Sequence, residues 1–173
     1  MGKHVNAGKP PTPAPAGLHQ AVCVDVVELG MVDSAWGPKD TIELRWQVFP
    51  YDADGQPMVN PENGKPYMVV NRYNATLSPK SNLHKHLVAW RDRKFTQQEL
   101  DDFDLDNVLG ANCQLQIIHN VSDDGRTFAN IQSIVPLGRG MQKFQPIDYT
   151  RMKDREGRNQ PTQVQHPDDD IPF

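Results

Sequence analysis

Cysteine is nearly absent. The 173 residues hold two, Cys23 and Cys113, far apart and each within an apolar run. That scarcity excludes a disulfide framework or a cysteine-rich metal knuckle, and it suits buried thiols in a reducing compartment. No apolar stretch approaches the length of a membrane span, and the start Met1-Gly2-Lys3-His4 has no apolar signal region, so a cytoplasmic protein is expected. A phosphate-cradling Gly-Lys-Ser/Thr loop is missing. His84 and His86 are two apart, which on a helix puts them on different sides, the wrong spacing for one metal ion. The acidic run 101–106 is explained by helix solubility and capping rather than by Mg²⁺ binding. No catalytic residue, metal or cofactor is expected, and the chain does not read as an enzyme.

Charge is present but unevenly placed. The formal net charge is −4, yet between Lys65 and Lys94 seven Lys/Arg face one Asp, a local +6. Glu99, Asp101, Asp102, Asp104 and Asp106 follow at once as a local −5. A basic centre followed by acidic segments suits a nucleic-acid binder better than the sum implies.

Only 37% of residues are hydrophobic, so the ordered part should be smaller than the chain. Residues 1–16 include Lys9-Pro10-Pro11-Thr12-Pro13-Ala14-Pro15 and read as a flexible, Pro-rich arm. Residues 17–137 carry periodic patterns. Residues 138–173 are polar, rich in Gln and Pro, and read as a disordered tail.

Within 17–137 the main period is two, the signature of strands. Val22, Val24 and Val26 alternate with Cys23, Asp25 and Val27. Leu44, Trp46 and Val48 alternate with Glu43, Arg45, Gln47 and Phe49. After a turn-rich stretch, Val69, Asn71, Tyr73 and Ala75 alternate with Met68, Val70, Arg72 and Asn74. Two late strands, around Cys113 to Ile117 and from Phe128 to Val135, flank the hairpin signal Asp123-Asp124-Gly125. Between the third and fourth strands lies a helical insert. Ser78 is its expected N-cap, with Pro79 at the first helical position, and Leu83, Leu87 and Trp90 form its apolar stripe. A second short helix is announced by a capping box, Thr96 to Glu99. Three strands, a helical insert and two strands is the order of an OB-fold, a mainly β, five-stranded Greek-key barrel that binds oligonucleotides on its second and third strands.

The end of the chain, Asp168-Asp169-Asp170-Ile171-Pro172-Phe173, combines steering carboxylates with an aromatic ring and a terminal carboxylate on one residue. Pro172 restricts its own φ and biases Ile171 toward extended geometry, which lowers the entropy lost on docking. This hexapeptide resembles the C-terminal tip of bacterial single-stranded DNA-binding proteins, which recruits replication, recombination and repair enzymes. The middle of the chain resembles a family of phage-encoded single-stranded DNA-binding proteins. That likeness rests on Leu77-Ser78, Lys80-Ser81-Asn82-Leu83, Trp90-Arg91, Phe95-Thr96, Phe103-Asp104-Leu105, Leu109-Gly110, His119-Asn120 and Phe128-Ala129-Asn130-Ile131. It implies an OB-fold that coats single-stranded DNA in the host cytoplasm and recruits enzymes through Asp168, Asp169, Asp170, Ile171, Pro172 and Phe173. The insert between the third and fourth strands departs from the usual bacterial pattern, so tetramer formation does not carry over.

A single strand offers phosphates and unpaired π-faces, which call for cations along a groove and exposed aromatic rings. Arg45, Arg72, Lys80, Arg91, Arg93 and Lys94 are the candidate cations; Trp36, Tyr67 and Tyr73 are the candidate stacking rings. Tyr73 shares a face with Val69 and fits a core position equally well, while Trp46 and Trp90 belong to apolar rows. Trp36, between Ser34-Ala35 and Gly37-Pro38, has little packing to explain it. The alternative is an adaptor that uses the tip to engage host enzymes without binding DNA.

Overall fold

Alternation of apolar and polar side chains organises residues 12–156, the part of the chain that the computed structural model describes. Residues 1–11 and the tip 168–173 lie outside the described residues. The architecture is mainly β, one five-stranded antiparallel sheet with few helices. Its strands are β1 (Gly17–Ser34), β2 (Gly37–Phe49), β3 (Tyr67–Asn74), β4 (Asn112–Val121) and β5 (Thr127–Val135). Their order across the sheet is β3-β2-β1-β4-β5. β1 is the hub, pairing with β2 along most of its length and with β4 over Gly17 to Val22. Helix α1 (Asn82–Arg91) lies against β5 and β3, the two end strands of that order. Among the described residues, no helix is long and apolar enough to cross a membrane.

The core lies on the inner side of the sheet. Ile42, Leu44, Trp46 and Val48 of β2, Val69 and Tyr73 of β3, and Cys113, Leu115 and Ile117 of β4 meet Leu83, Leu87 and Trp90 of α1. The helical stripe expected from sequence is therefore the face that α1 buries. Each such large side chain contributes about 1.5–3 kcal/mol on burial. The Trp46 and Trp90 rings pack 5.9 Å apart, and Trp90 Nε1 donates to the Asn112 carbonyl at 3.0 Å. Burial pushes the Cys23 thiol up to about 12 and Cys113 well above its ordinary value, so both stay protonated and inert.

Ser81, rather than Ser78, caps α1: its hydroxyl accepts from the His84 amide at 3.1 Å. Pro79 therefore precedes the helix. The second helix, α2 (Gln97–Asp101), carries the expected capping box between Thr96 and Glu99. That box and Arg91 hold the Glu99 carboxyl down at about 2.

β1 departs from simple alternation. A register shift between Cys23 and Asp25 leaves Val24 as an extra residue, a β-bulge. Val24 and Asp25 thus both serve the outer side, where Val24 packs with Val22 and Phe49, while Val26 returns to the core. Ala21 and Cys23 are buried inside as well, so residues 20–26 are covered on both faces.

The outer cover comes from the chain beyond β5, which corrects the expectation of a disordered tail starting at residue 138. Phe144 and Tyr149 pack on Val22, Val24 and Phe49, with the Phe49 and Phe144 rings 4.5 Å apart. Two side-chain amides grip this strap as a neighbouring strand would. Gln47 Nε2 donates to the Ile147 carbonyl at 2.6 Å while its Oε1 accepts from the Ile147 amide at 2.7 Å. Asn112 does the same with Phe144, at 2.9 and 2.8 Å. At the far end Asp25, 1% exposed, accepts from Tyr149 Oη at 2.7 Å, Met152 N at 2.9 Å and Arg151 Nε at 3.2 Å. A short helix, α3 (Met152–Glu156), follows.

The arm is corrected in part too. Ala14 is buried, and its carbonyl accepts from His119 Nε2 at 2.7 Å. His19 Nε2 reaches the Pro15 carbonyl at 3.0 Å. A proline-rich segment has more carbonyl acceptors than amide donors, and the two histidines bond those of Ala14 and Pro15.

Candidate nucleic-acid interface

Trp36 stands at the tip of the β1–β2 hairpin. Ser34 pairs with Gly37, so Ala35 and Trp36 form a two-residue turn, and Gly37 closes it at φ +101°, which favours glycine. The Ser34 hydroxyl braces the turn, accepting from Trp36 N at 3.2 Å and donating to the Gly37 carbonyl at 2.5 Å. The ring is 89% exposed. A tight turn with a braced backbone presents this indole to solvent.

The other two candidate rings are inside. Tyr67 and Tyr73 are both buried in the core. The Tyr73 hydroxyl contacts His86 Nδ1 at 2.6 Å, and burial lowers the His86 pKa. Neither tyrosine is available as a stacking surface. Alternation puts Tyr73 and Val69 on one face; the structure shows that this is the inner one.

The candidate cations divide three ways. Arg91 is structural: its side chain is 1% exposed, Nη2 reaches Glu99 Oε2 at 2.6 Å, and the guanidinium lies 4.4 Å over the Phe95 ring. It ties α1 to the chain around α2 and presents nothing to a ligand. Arg45 and Arg72 share one carboxylate on the outer face. Arg45 Nε and Nη2 donate to Glu43 Oε2 at 3.0 and 2.8 Å, and Arg72 Nε lies 3.6 Å from Glu43 Oε1. Burial works against the Arg45 charge, but Glu43 more than restores it and the pKa rises. Arg45 is mostly covered, whereas the Arg72 side chain is 63% exposed. Lys80, Arg93 and Lys94 are exposed around α1.

Strap and strands together decide which surface stays open. Residues 142–152 occupy the outer side of β1 at residues 20–26 and of β2 at Gln47 to Phe49, with Gln20 Nε2 donating to the Gln142 carbonyl at 2.5 Å, while the hairpin from residue 27 to residue 40 stays largely exposed. The outer row of β3 remains exposed, with Met68, Val70, Arg72 and Asn74 in alternation. So does the β4–β5 hairpin, whose turn is held by Ser122 bonded to Asp124 and by Gly125. Phe128 lies there, 48% exposed and opposite Asn120. Sequence reasoning does not single it out as a site residue. The available signal is an aromatic directly after a turn among Arg126, Thr127, Ala129 and Asn130, with no apolar row to join.

The chain matches no protein-family model and no curated protein.

Proposed function

We propose that this chain is an OB-fold protein that binds single-stranded DNA without strong sequence preference and recruits replication, recombination and repair enzymes through the tip Asp168-Asp169-Asp170-Ile171-Pro172-Phe173. Trp36 carries the proposal. A large ring held almost fully in water on a braced turn contributes nothing to the core, and stacking on an unpaired base is the use that such a ring fits. The connectivity is in keeping with it: β3-β2-β1-β4-β5, with α1 against both end strands, is the order of an OB barrel opened between its third and fifth strands. In that architecture oligonucleotides lie across the second and third strands between the loops joining strands one to two and four to five. Here those loops carry Trp36 and, beside the turn, Phe128, while the uncovered strand between them is β3. Lys80 and Lys94 are exposed cations for the phosphates. The tip and tail would hold partner enzymes near the coated strand.

Titration with a dT oligomer at two salt concentrations tests this directly. Trp46 and Trp90 are buried, so quenching of tryptophan fluorescence reports on Trp36. Quenching and a log–log salt slope near −0.7 per neutralised phosphate are expected. Absence of any dT binding, with tip-dependent capture of enzymes retained, would instead establish the adaptor.

A further inference from the structure

We infer that Arg72 is a stacking platform for an unpaired base rather than a phosphate contact; this rests on reading the chain as a single-strand binder. With Tyr67 and Tyr73 turned inward, the outer row of β3 holds no aromatic ring. Its planar π-group is the Arg72 guanidinium. Arg72 follows Met68 and Val70 on the same face, side chains about 6.6 Å apart along the strand. Both of those residues are apolar and exposed, and they offer the flank of a base dry contact while giving a phosphate nothing.

Glu43 meets Arg72 from one side only. It stands opposite Arg72 in the β2–β3 register, is itself buried, and meets Arg72 at the Nε edge, 3.6 Å away. A contact at that edge leaves the broad faces of the guanidinium clear of Glu43, and the side chain is 63% exposed. The same carboxylate offsets part of this charge and repels a phosphate brought to the same group: two arginines share one acid, which leaves one net positive charge spread over both. Stacking tolerates this partial offset, because it depends on the plane and its polarisability more than on net charge. The strap adds selectivity of place: it covers the Arg45 end of this ionic group and leaves Arg72 open.

The test compares the full-length chain with Arg72→Lys, which keeps the charge and the Glu43 pairing but loses the plane. Both are titrated by polarisation with a labelled dT oligomer and with an abasic strand of equal length, which has the phosphates and no bases. On dT, Arg72→Lys is expected to bind on the order of tenfold more weakly. On the abasic strand the two proteins should bind equally. Arg72→Phe, a plane without charge, should keep most of the dT affinity. A deficit of Arg72→Lys that persists on the abasic strand makes Arg72 a phosphate contact and overturns the inference. Equal binding of all three proteins to dT overturns it as well, since Arg72 then touches no base. Failure of the unaltered chain to bind dT at all would reject the single-strand reading itself, a result distinct from the other two.

Discussion

The strap is held at its far end by one buried carboxylate, and Tyr149→Phe removes a single oxygen from that arrangement. The ring that covers Val22 and Val24 stays, so the main loss is the 2.7 Å hydrogen bond from Tyr149 to Asp25, with the hydroxyl's contact to Arg45 beside it. Hydrogen bonds to charged groups contribute about 1.5–3 kcal/mol. Asp25 keeps its bonds from Met152 N and Arg151 Nε, which favours the lower end, about 1.5 kcal/mol. For a chain of this size that corresponds to a Tm lower by about 3–6 °C. Asp25→Ala is harsher, because a guanidinium, a hydroxyl and an amide all lose their acceptor. Breaking such a buried pair costs about 3–5 kcal/mol. The strap can also detach as a unit before the sheet melts, and trypsin cleavage at Lys143, Arg151 or Lys153 would report that separately. Burial, reinforced by the Asp25 bond, pushes the Tyr149 pKa up to about 12 from the ordinary 10. A folded-state value above the unfolded one means that the contribution is complete below pH 10 and is lost as pH rises through 12. The Tm difference between the unaltered chain and Tyr149→Phe should therefore shrink over that interval. Equal melting temperatures at pH 7, or a difference indifferent to pH between 10 and 12, would refute the idea that this hydrogen bond anchors the strap.

Trp36→Ala should weaken dT binding by about 1–3 kcal/mol and abolish fluorescence quenching, with calorimetric Tm unchanged because the ring leaves no cavity. Burial lowers the His86 pKa, so its neutral form is favoured in the fold; that stability is present above about pH 6.5 and lost on acidification, and a His86→Gln melting curve should be flatter between pH 7.5 and 5. Replacing Lys80 and Lys94 with Gln should reduce the salt slope by about 0.7 for each phosphate no longer neutralised, as measured by dT titration across salt. Deleting residues 168–173 should leave dT affinity equal or higher and eliminate pull-down of host replication and repair enzymes.

Much of the frame is legible because its signals are local. A period of two needs only neighbours to be read, and it locates β2, β3, β4 and β5. The stripe Leu83, Leu87, Trp90 and the capping box at Thr96 likewise depend on spacings within one or two turns. Trp36 stands out by the absence of an apolar row around it. Three things are not legible. Alternation says that Tyr73 and Val69 share a face, but which face is inside depends on what packs there, and α1 decides it. Arg91 reads as one more surface cation until the chain turns back after α1 and Phe95, in the connection, and Glu99, on α2, close over it. The strap is least visible of all. Phe144, Ile147 and Tyr149 are too sparse among polar residues to announce a packed segment, and their partners Gln47 and Asp25 lie 100 and 124 positions away. By itself, then, the sequence determined which segments become strands and helices, since those preferences are settled within a few residues. Which side chains are buried, which cations remain open and what covers the sheet were decided only when long-range packing brought remote segments together.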